Sequence, residues 1–247
     1  MTGPKISPEN PGKGHRLKAL CLGGGSICAR TIPMLEELGF RISVLDLDPA
    51  CAVAKDCVGA GSPEELWQGE RPSLLLGDGV ANAVEVLRLW KVDLLVPCIP
   101  GHAAGRLLMA WGKGRLQPRG SPSLLHEVET ALKKEGSAAL DPLSGTVIAT
   151  MNTGHSPCPL DCEQTGPCPL TGRPHSVRMD TALQGALDRL GIWGLVIRPV
   201  RIGAFGAITS EQLEAAKALL DDLEGVDAVA IATSCSCHAI LNTFRVC

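Results

Sequence analysis

Tyrosine is absent from the chain, and four Trp and three Phe are its only other large aromatics. Catalysis through a tyrosine hydroxyl is thereby excluded, including the Tyr/Lys pair of short-chain dehydrogenases. Apolar residues make up 45% of the sequence, so the core has to be built from Leu, Val, Ile and Ala. A basic excess is missing too. The 23 Lys and Arg against 26 Asp and Glu leave a net charge of −3, and nucleic acid is not an expected partner. The one basic patch, Arg106, Lys113, Arg115 and Arg119, reads as a solvated helix end. No segment is long and apolar enough for a membrane span. The stretch before Gly14 is rich in Pro, Gly and Lys and reads as neither a signal peptide nor an anchor; residues 1–16 are expected to be a disordered tail. Cys247 is the last residue rather than the fourth from the end, so no prenylation box is read there.

What is abundant is cysteine. There are eleven, an odd number, and no secretion signal accompanies them. The expected location is the cytoplasm, a reducing compartment. There thiols stay free, bind metal or do chemistry.

The first half follows a β–Gly loop–α–β–acid order. Leu17 to Leu22 is a short apolar run that ends in Gly23-Gly24-Gly25. A helical stretch passes through Leu35 and Leu38 to Gly39, and Arg41 to Asp48 is a buried strand closed by acids. Glycines in such a turn let the backbone approach a pyrophosphate, while helix amides face the anion. The acid accepts hydrogen bonds from ribose hydroxyls, and Asp46 lies 21 residues after Gly25, near the expected spacing. Its charge favours NAD over NADP by repelling a 2′-phosphate. The third glycine position is held by Cys28, and Pro33 falls within the helix. Thr31 is an alternative cap for a shorter helix starting near Pro33. A glycine turn that binds nothing is the competing reading.

Gly23-Gly24-Gly25-Ser-Ile-Cys28-Ala-Arg30 resembles the GGGxVAxR start of the siroheme-synthase dehydrogenase domain. Val44 to Pro49, Leu76 to Gly79, Val86-Leu87 and Val92-Asp93 resemble the NAD-binding domain of potassium-transport regulators, the TrkA N-terminal family. The resemblance covers about Leu17 to Met109. It implies a Rossmann-type parallel sheet binding NAD(H) or another adenine nucleotide, with Gly23, Gly25 and Asp46 as the binding residues.

The fourth strand, Asp93 to Ile99, ends in Pro100-Gly101-His102. Ligands in open α/β sheets lie beyond the carboxyl ends of strands, which makes Cys98 and His102 candidate catalytic residues. A solvent-exposed histidine at a helix start is the alternative. The nucleotide-binding domain is expected over 17–115 and a second domain over 123–247, with a Gly, Pro, Lys and Arg-rich boundary at Gly112 to Pro122.

In the second half, helices are expected at Ser123 to Glu135, Val177 to Leu190 and Thr209 to Glu224. Buried strands are expected at Gly145 to Met151 and Val226 to Thr233, and Trp193 to Ile202 reads as β-like. This order suggests a second α/β layer, with a ferredoxin-like arrangement as one form of it. Cys158, Cys162 and Cys168 leave the first of these strands in a loop of form Cys-Pro-x-x-Cys-x5-Cys-Pro; Cys235 and Cys237 leave the last. Strands of one sheet would bring both groups to one rim. Soft thiolates in a polar loop point to a metal, and the prolines stiffen the turns around a ligand. A [4Fe–4S] cluster takes four cysteines, with Cys235 or Cys237 as the fourth beside the loop's three. Zinc is the alternative, with four thiolates or with three and one of His155, His175 or His238. Free buried cysteines suit Cys21, Cys28, Cys51 and Cys57. Arg173 and Arg178 are placed to clamp an anion or to neutralise a thiolate cluster.

The sequence therefore predicts an α/β protein with a nucleotide half and a cysteine-rich half. The expected function is a redox enzyme, an oxidoreductase or cluster-dependent lyase, with an iron–sulfur cluster meeting the dinucleotide. A regulatory NAD- or ATP-sensing module with a structural or redox-sensing zinc is the alternative, and a metal or cluster carrier is a third. The expected partner is a small-molecule substrate or nucleotide, and self-association is left open.

Overall fold

The computed structural model describes residues 16–133, 135–152, 167, 168, 170, 172, 174, 176–203 and 205–247. The fold is α/β and divides into two units: Met1–Ala103 with Val200–Leu213, and Ala104–Pro199 with Glu214–Cys247. Elements of the first half are β1 (Lys18–Leu22), α1 (Ser26–Glu37), β2 (Arg41–Asp46), β3 (Val58–Ala60), β4 (Ser73–Leu76), α2 (Gly79–Leu89), β5 (Leu94–Pro97) and α3 (Ala103–Gly112). Then come β6 (Leu116–Pro118), α4 (Pro122–Ala131), β7 (Ser137–Asp141), β8 (Thr146–Thr150) and α5 (Met179–Leu190). The chain closes with β9 (Trp193–Ile197), β10 (Val200–Ile202), β11 (Phe205–Thr209), α6 (Ser210–Ala218), β12 (Ala228–Ser234) and β13 (His238–Val246).

The first sheet has the order β10-β11-β5-β1-β2-β4-β3. Strands β5, β1, β2, β4 and β3 are parallel, and β11 and β10 extend the β5 edge antiparallel. β1 and β5 are near-continuous apolar runs because parallel central strands are covered on both faces. The chain leaves β1 for β2 on one side, then returns from β4 to β5 on the other. Strand order thus reverses between β1 and β5, the place where ligands of open sheets sit. One core cluster here gathers Ala19, Cys21, Cys28, Leu35, Val44 and Val96.

Two local expectations change. α1 continues through Pro33, and the Thr31 hydroxyl donates to the Ile27 carbonyl at 2.9 Å instead of capping a shorter helix. Pro33 costs the helix one amide donor, and burial of Cys28, Ile32 and Leu35 outweighs it. Residues 200–209, read with the second half, pair as β10 and β11 onto β5 of the first sheet, Ile208 lying opposite Leu95.

The second sheet has the order β7-β8-β13-β12-β9, with β6 pairing on β13. β9 and β12 are parallel; the other pairs are antiparallel. The elements β6-α4-β7-β8-α5-β9 run in the β-α-β-β-α-β succession of a ferredoxin-like layer, but β13 and β12 lie between β8 and β9 in the sheet. Leu116–Pro118, read as part of the boundary, is a strand of this sheet. The helices α4 and α5 cover one face through Leu124, Val128, Leu183 and Leu187, which pack with Val147, Ala230 and Leu241. α5 stops at Gly191, whose φ of +63° is the left-handed conformation that glycine adopts without penalty. α6 opens with a reciprocal cap in which the Gln212 amide donates to Thr209 Oγ1 and the Thr209 amide to Gln212 Oε1.

Candidate metal centre and glycine turn

β12 and β13 are joined by a tight hairpin, with Ser234 opposite Ala239 and the Cys235 amide donating to the His238 carbonyl at 2.9 Å. Only Ser236 and Cys237 remain to turn the chain. Such a short connection forces Cys235, Cys237 and His238 together. Their ligand atoms all lie within 4.8 Å of one another. Cys235 Sγ is 3.9 Å from Cys237 Sγ. His238 Nδ1 is 3.7 Å from Cys235 Sγ and 3.2 Å from Cys237 Sγ.

The turn is anchored from both sides. The Met151 amide beyond β8 donates to the Cys237 carbonyl at 2.8 Å. The first amide of α5, from Met179, donates to the Ser236 carbonyl at 2.9 Å. The His238 amide donates to Cys235 Sγ at 3.2 Å, a bond that favours a thiolate. The contact with Cys237, together with His238 and the turn amides, pushes the Cys235 thiol down to about 4 against the effect of burial. The bond to Cys235 raises His238 in return, helped by the charges of Cys235 and Cys168. Three half-buried soft donors on a rigid turn can hold a metal ion.

Cys168 is half-buried, and its charge helps to raise His238. Cys158 and Cys162 lie outside the described residues, as do His155, Arg173 and His175. Arg178 pairs with the buried Asp180 at 3.0 Å, and the Cys235 charge also raises its pKa. Asp180 and Arg198 went unnoticed in the sequence. Arg198, just past β9, forms a second ion pair with the same carboxylate. Burial pushes Asp180 up, but the Arg178 hydrogen bond and both guanidinium charges hold it below the ordinary carboxylate value. The sequence signal for this group was an Arg-x-Asp at a helix start, a place that favours acids.

In the first unit, Gly23 has φ +96°, and a Cβ on it would stand 2.9 Å from the Cys98 carbonyl oxygen. A Cβ at Gly24 would meet Cys51 Sγ at 2.5 Å, whereas one at Gly25 would meet nothing within 4 Å. Gly25 immediately precedes α1, whose start has no side-chain cap. Asp46 stands at the end of β2 as the sequence predicts, but its carboxylate accepts from two amides of its own chain, Gly24 and Asp48.

Cys98 follows β5 and continues its ladder, its amide donating to the Leu22 carbonyl at 2.7 Å. Cys21 and Cys28, thiols of the same core, bring the Cys98 thiol down to about 5 against burial. Cys21 and Cys28 are fully buried, as core cysteines should be, while Cys51 and Cys57 are half-buried against the same core cluster. His102 immediately precedes α3 and is buried at 7% exposure, not a solvent histidine. No described helix is long and apolar enough to cross a membrane.

An uncharacterized protein of Archaeoglobus fulgidus is 24% identical over 228 residues, spanning 91% of this chain and 97% of its own length. No solved structure gives a significant match. Residues 108–247, more than half of the chain, match the family AF_1314_C, described as "Uncharacterized protein, C-terminal domain", and the chain belongs to that family.

Proposed function

We propose that this protein is a nucleotide-responsive metalloprotein that holds one metal ion on the β12–β13 turn, with zinc the first choice. The donor spacing carries the reading. Bond lengths of about 2.3 Å to sulfur and about 2.0–2.1 Å to nitrogen give tetrahedral edges of about 3.8 Å between sulfurs and about 3.5 Å between sulfur and nitrogen. The turn offers 3.9, 3.7 and 3.2 Å. Cysteines of a [4Fe–4S] cluster serve separate irons and stand farther apart. The iron–sulfur expectation rested largely on Cys158 and Cys162; the spacing of Cys235 and Cys237 favours two ligands on one ion. Cys168, whose charge acts on His238, is the candidate for the fourth ligand. Four protein ligands make a structural site, and an open fourth position makes a catalytic one.

The glycine turn supports the nucleotide part. Gly25 leaves open space in front of an uncapped helix start at the point of strand-order reversal. That is the setting in which a pyrophosphate is bound. Whether the bound nucleotide serves turnover or signals a state separates the enzyme from the sensor.

The metal reading is tested by elemental analysis of the full chain purified without chelators and without oxygen. About one zinc per chain is expected, with loss of the ion in Cys235→Ser and Cys237→Ser. Several irons per chain with matching sulfide, or metal retained in both variants, would contradict it.

A further inference from the structure

Arg178, Asp180 and Arg198 form a charged cluster beside the metal turn, apart from its three donors. Backbone contacts fix its place. The Met179 amide donates to the Ser236 carbonyl at 2.9 Å, so Arg178 stands one residue, about 3.8 Å of chain, from a bond to the turn itself. Ile197 pairs with Thr233 in the parallel β9–β12 ladder. Arg198 therefore leaves β9 beside the strand end that Cys235 leaves, with about 4.8 Å between the two strands. One arginine reaches this edge of the sheet from a helix start and the other from a strand end.

Asp180 joins them. Arg178 approaches its carboxylate with two nitrogens, Nη2 at 3.0 Å from Oδ2 and Nε at 3.3 Å from Oδ1. Arg198 Nε stands 2.5 Å from Oδ2, and the Thr181 amide donates to Oδ1 at 2.7 Å. One guanidinium would balance the charge of this acid. Two are present, so the cluster carries one positive charge in excess. The Asp180 side chain is 1% exposed, whereas those of Arg178 and Arg198 are 56% and 64% exposed. The buried acid thus fixes one side of each fork and leaves much of each arginine open to solvent. An arginine already held in place loses less rotamer freedom when it takes a ligand.

We propose that Arg178 and Arg198, positioned by Asp180, bind a small oxyanion, the carboxylate or phosphate group of the molecule that meets the metal turn. This site deepens the metal reading and rests on it for the ligand's second contact. Guanidinium forks match the oxygens of these two groups in geometry and in charge. Asp180 touches no ligand in this arrangement. It holds both forks at one place, and its own charge leaves a single positive charge for the anion to meet. The ligand class is therefore small acids and phosphate esters, with the anionic end on the arginines and the other end towards Cys235, Cys237 and His238.

Sodium acetate and inorganic phosphate are the probes, titrated into the zinc-loaded full chain. Heteronuclear NMR follows the arginine Nε–H resonances, and zinc is measured in the same samples. A saturating shift of the Arg178 and Arg198 resonances is expected with at least one probe, and sodium chloride at equal ionic strength should not reproduce it. Tighter acetate names the ligand a carboxylic acid, and tighter phosphate names it a phosphate ester. Affinity should fall about tenfold or more in Arg198→Gln, which removes a charge-assisted hydrogen bond, with the zinc content unchanged. Arg245→Gln, at an arginine that bonds Gln117 in the same unit, should leave affinity as it was. Asp180→Asn adds to the positive charge of the pair, so charge alone would tighten binding; weaker binding is expected, because the forks lose their holder, and tighter binding would contradict the role of Asp180. If Arg198→Gln does not fold, the two wild-type resonances, assigned through their own backbone, carry the test. Shifts that never saturate, that chloride reproduces, or that persist undiminished in Arg198→Gln would overturn the anion site, and one zinc per chain in those samples would leave the metal reading intact. A chain without zinc whose arginine resonances still saturate would end the metal reading and keep the anion site.

Discussion

The Asp46 carboxylate accepts a hydrogen bond from the Gly24 amide, which ties the acid at the end of β2 to the glycine turn after β1. Its other oxygen accepts from Asp48 at 2.8 Å. The residue read as a ribose acceptor is therefore also a brace for the turn. An amide stripped of its acceptor costs about 1–3 kcal/mol. Asp46→Ala should lower stability by an amount in that range, and Asp46→Asn by less, because an amide oxygen can replace the carboxylate. Urea denaturation of the two variants measures this. An alanine variant as stable as the wild type would mean that the brace contributes nothing.

Gly23 and Gly25 separate folding from binding. Gly23→Ala places a Cβ against the Cys98 carbonyl in a backbone of φ +96°, and should destabilise the first unit by more than about 1 kcal/mol. Gly25→Ala has φ −75° and open space, and should fold as the wild type does. If a pyrophosphate is held in front of this turn, the same Gly25 methyl group blocks it, and nucleotide affinity should fall at least tenfold with no change in melting temperature. Calorimetric titration with NAD and ATP gives the answer. Unchanged affinity in Gly25→Ala would place any nucleotide elsewhere.

Asp180 provides a pH test in the second unit. Its carboxyl is held below its ordinary value despite burial, so its contribution is present above the unfolded pKa of about 3.9 and is lost as pH falls through the folded pKa. Asp180→Asn leaves Arg178 and Arg198 facing a neutral amide. Breaking a buried ion pair costs about 3–5 kcal/mol, and the exposed arginines reduce that here. A loss of about 1–3 kcal/mol is expected at pH 7, shrinking well below pH 3.9. A penalty independent of pH would assign the loss to packing instead of charge.

Much of this was legible in the residues. β1, β2 and β5 declared themselves as apolar runs, and the turn glycines fell where the strand ended. The hairpin thiols were legible because Cys235-Ser-Cys237-His238 follows a buried strand directly. The pairing of β11 with β5 was not legible, because a short apolar segment such as Phe205–Thr209 carries no mark of which sheet edge it will join. The relation of Cys98 to Cys21 and Cys28 was hidden for a different reason. It depends on the β1–β5 register, which the alternation within either strand leaves open. Asp180 was hidden because burial of an acid depends on arginines from two separate places, Arg178 and Arg198.

The central claim is that Cys235, Cys237 and His238 share a single ion. X-ray absorption at the edge of the bound metal tests it most directly. The account predicts a four-coordinate centre with sulfur at about 2.3 Å, at least one imidazole nitrogen at about 2.0–2.1 Å and no metal–metal scattering. Loss of the nitrogen shell in His238→Ala would agree with it. A spectrum showing short iron–iron and iron–sulfide distances, or a coordination shell unaltered by removing His238, would contradict it.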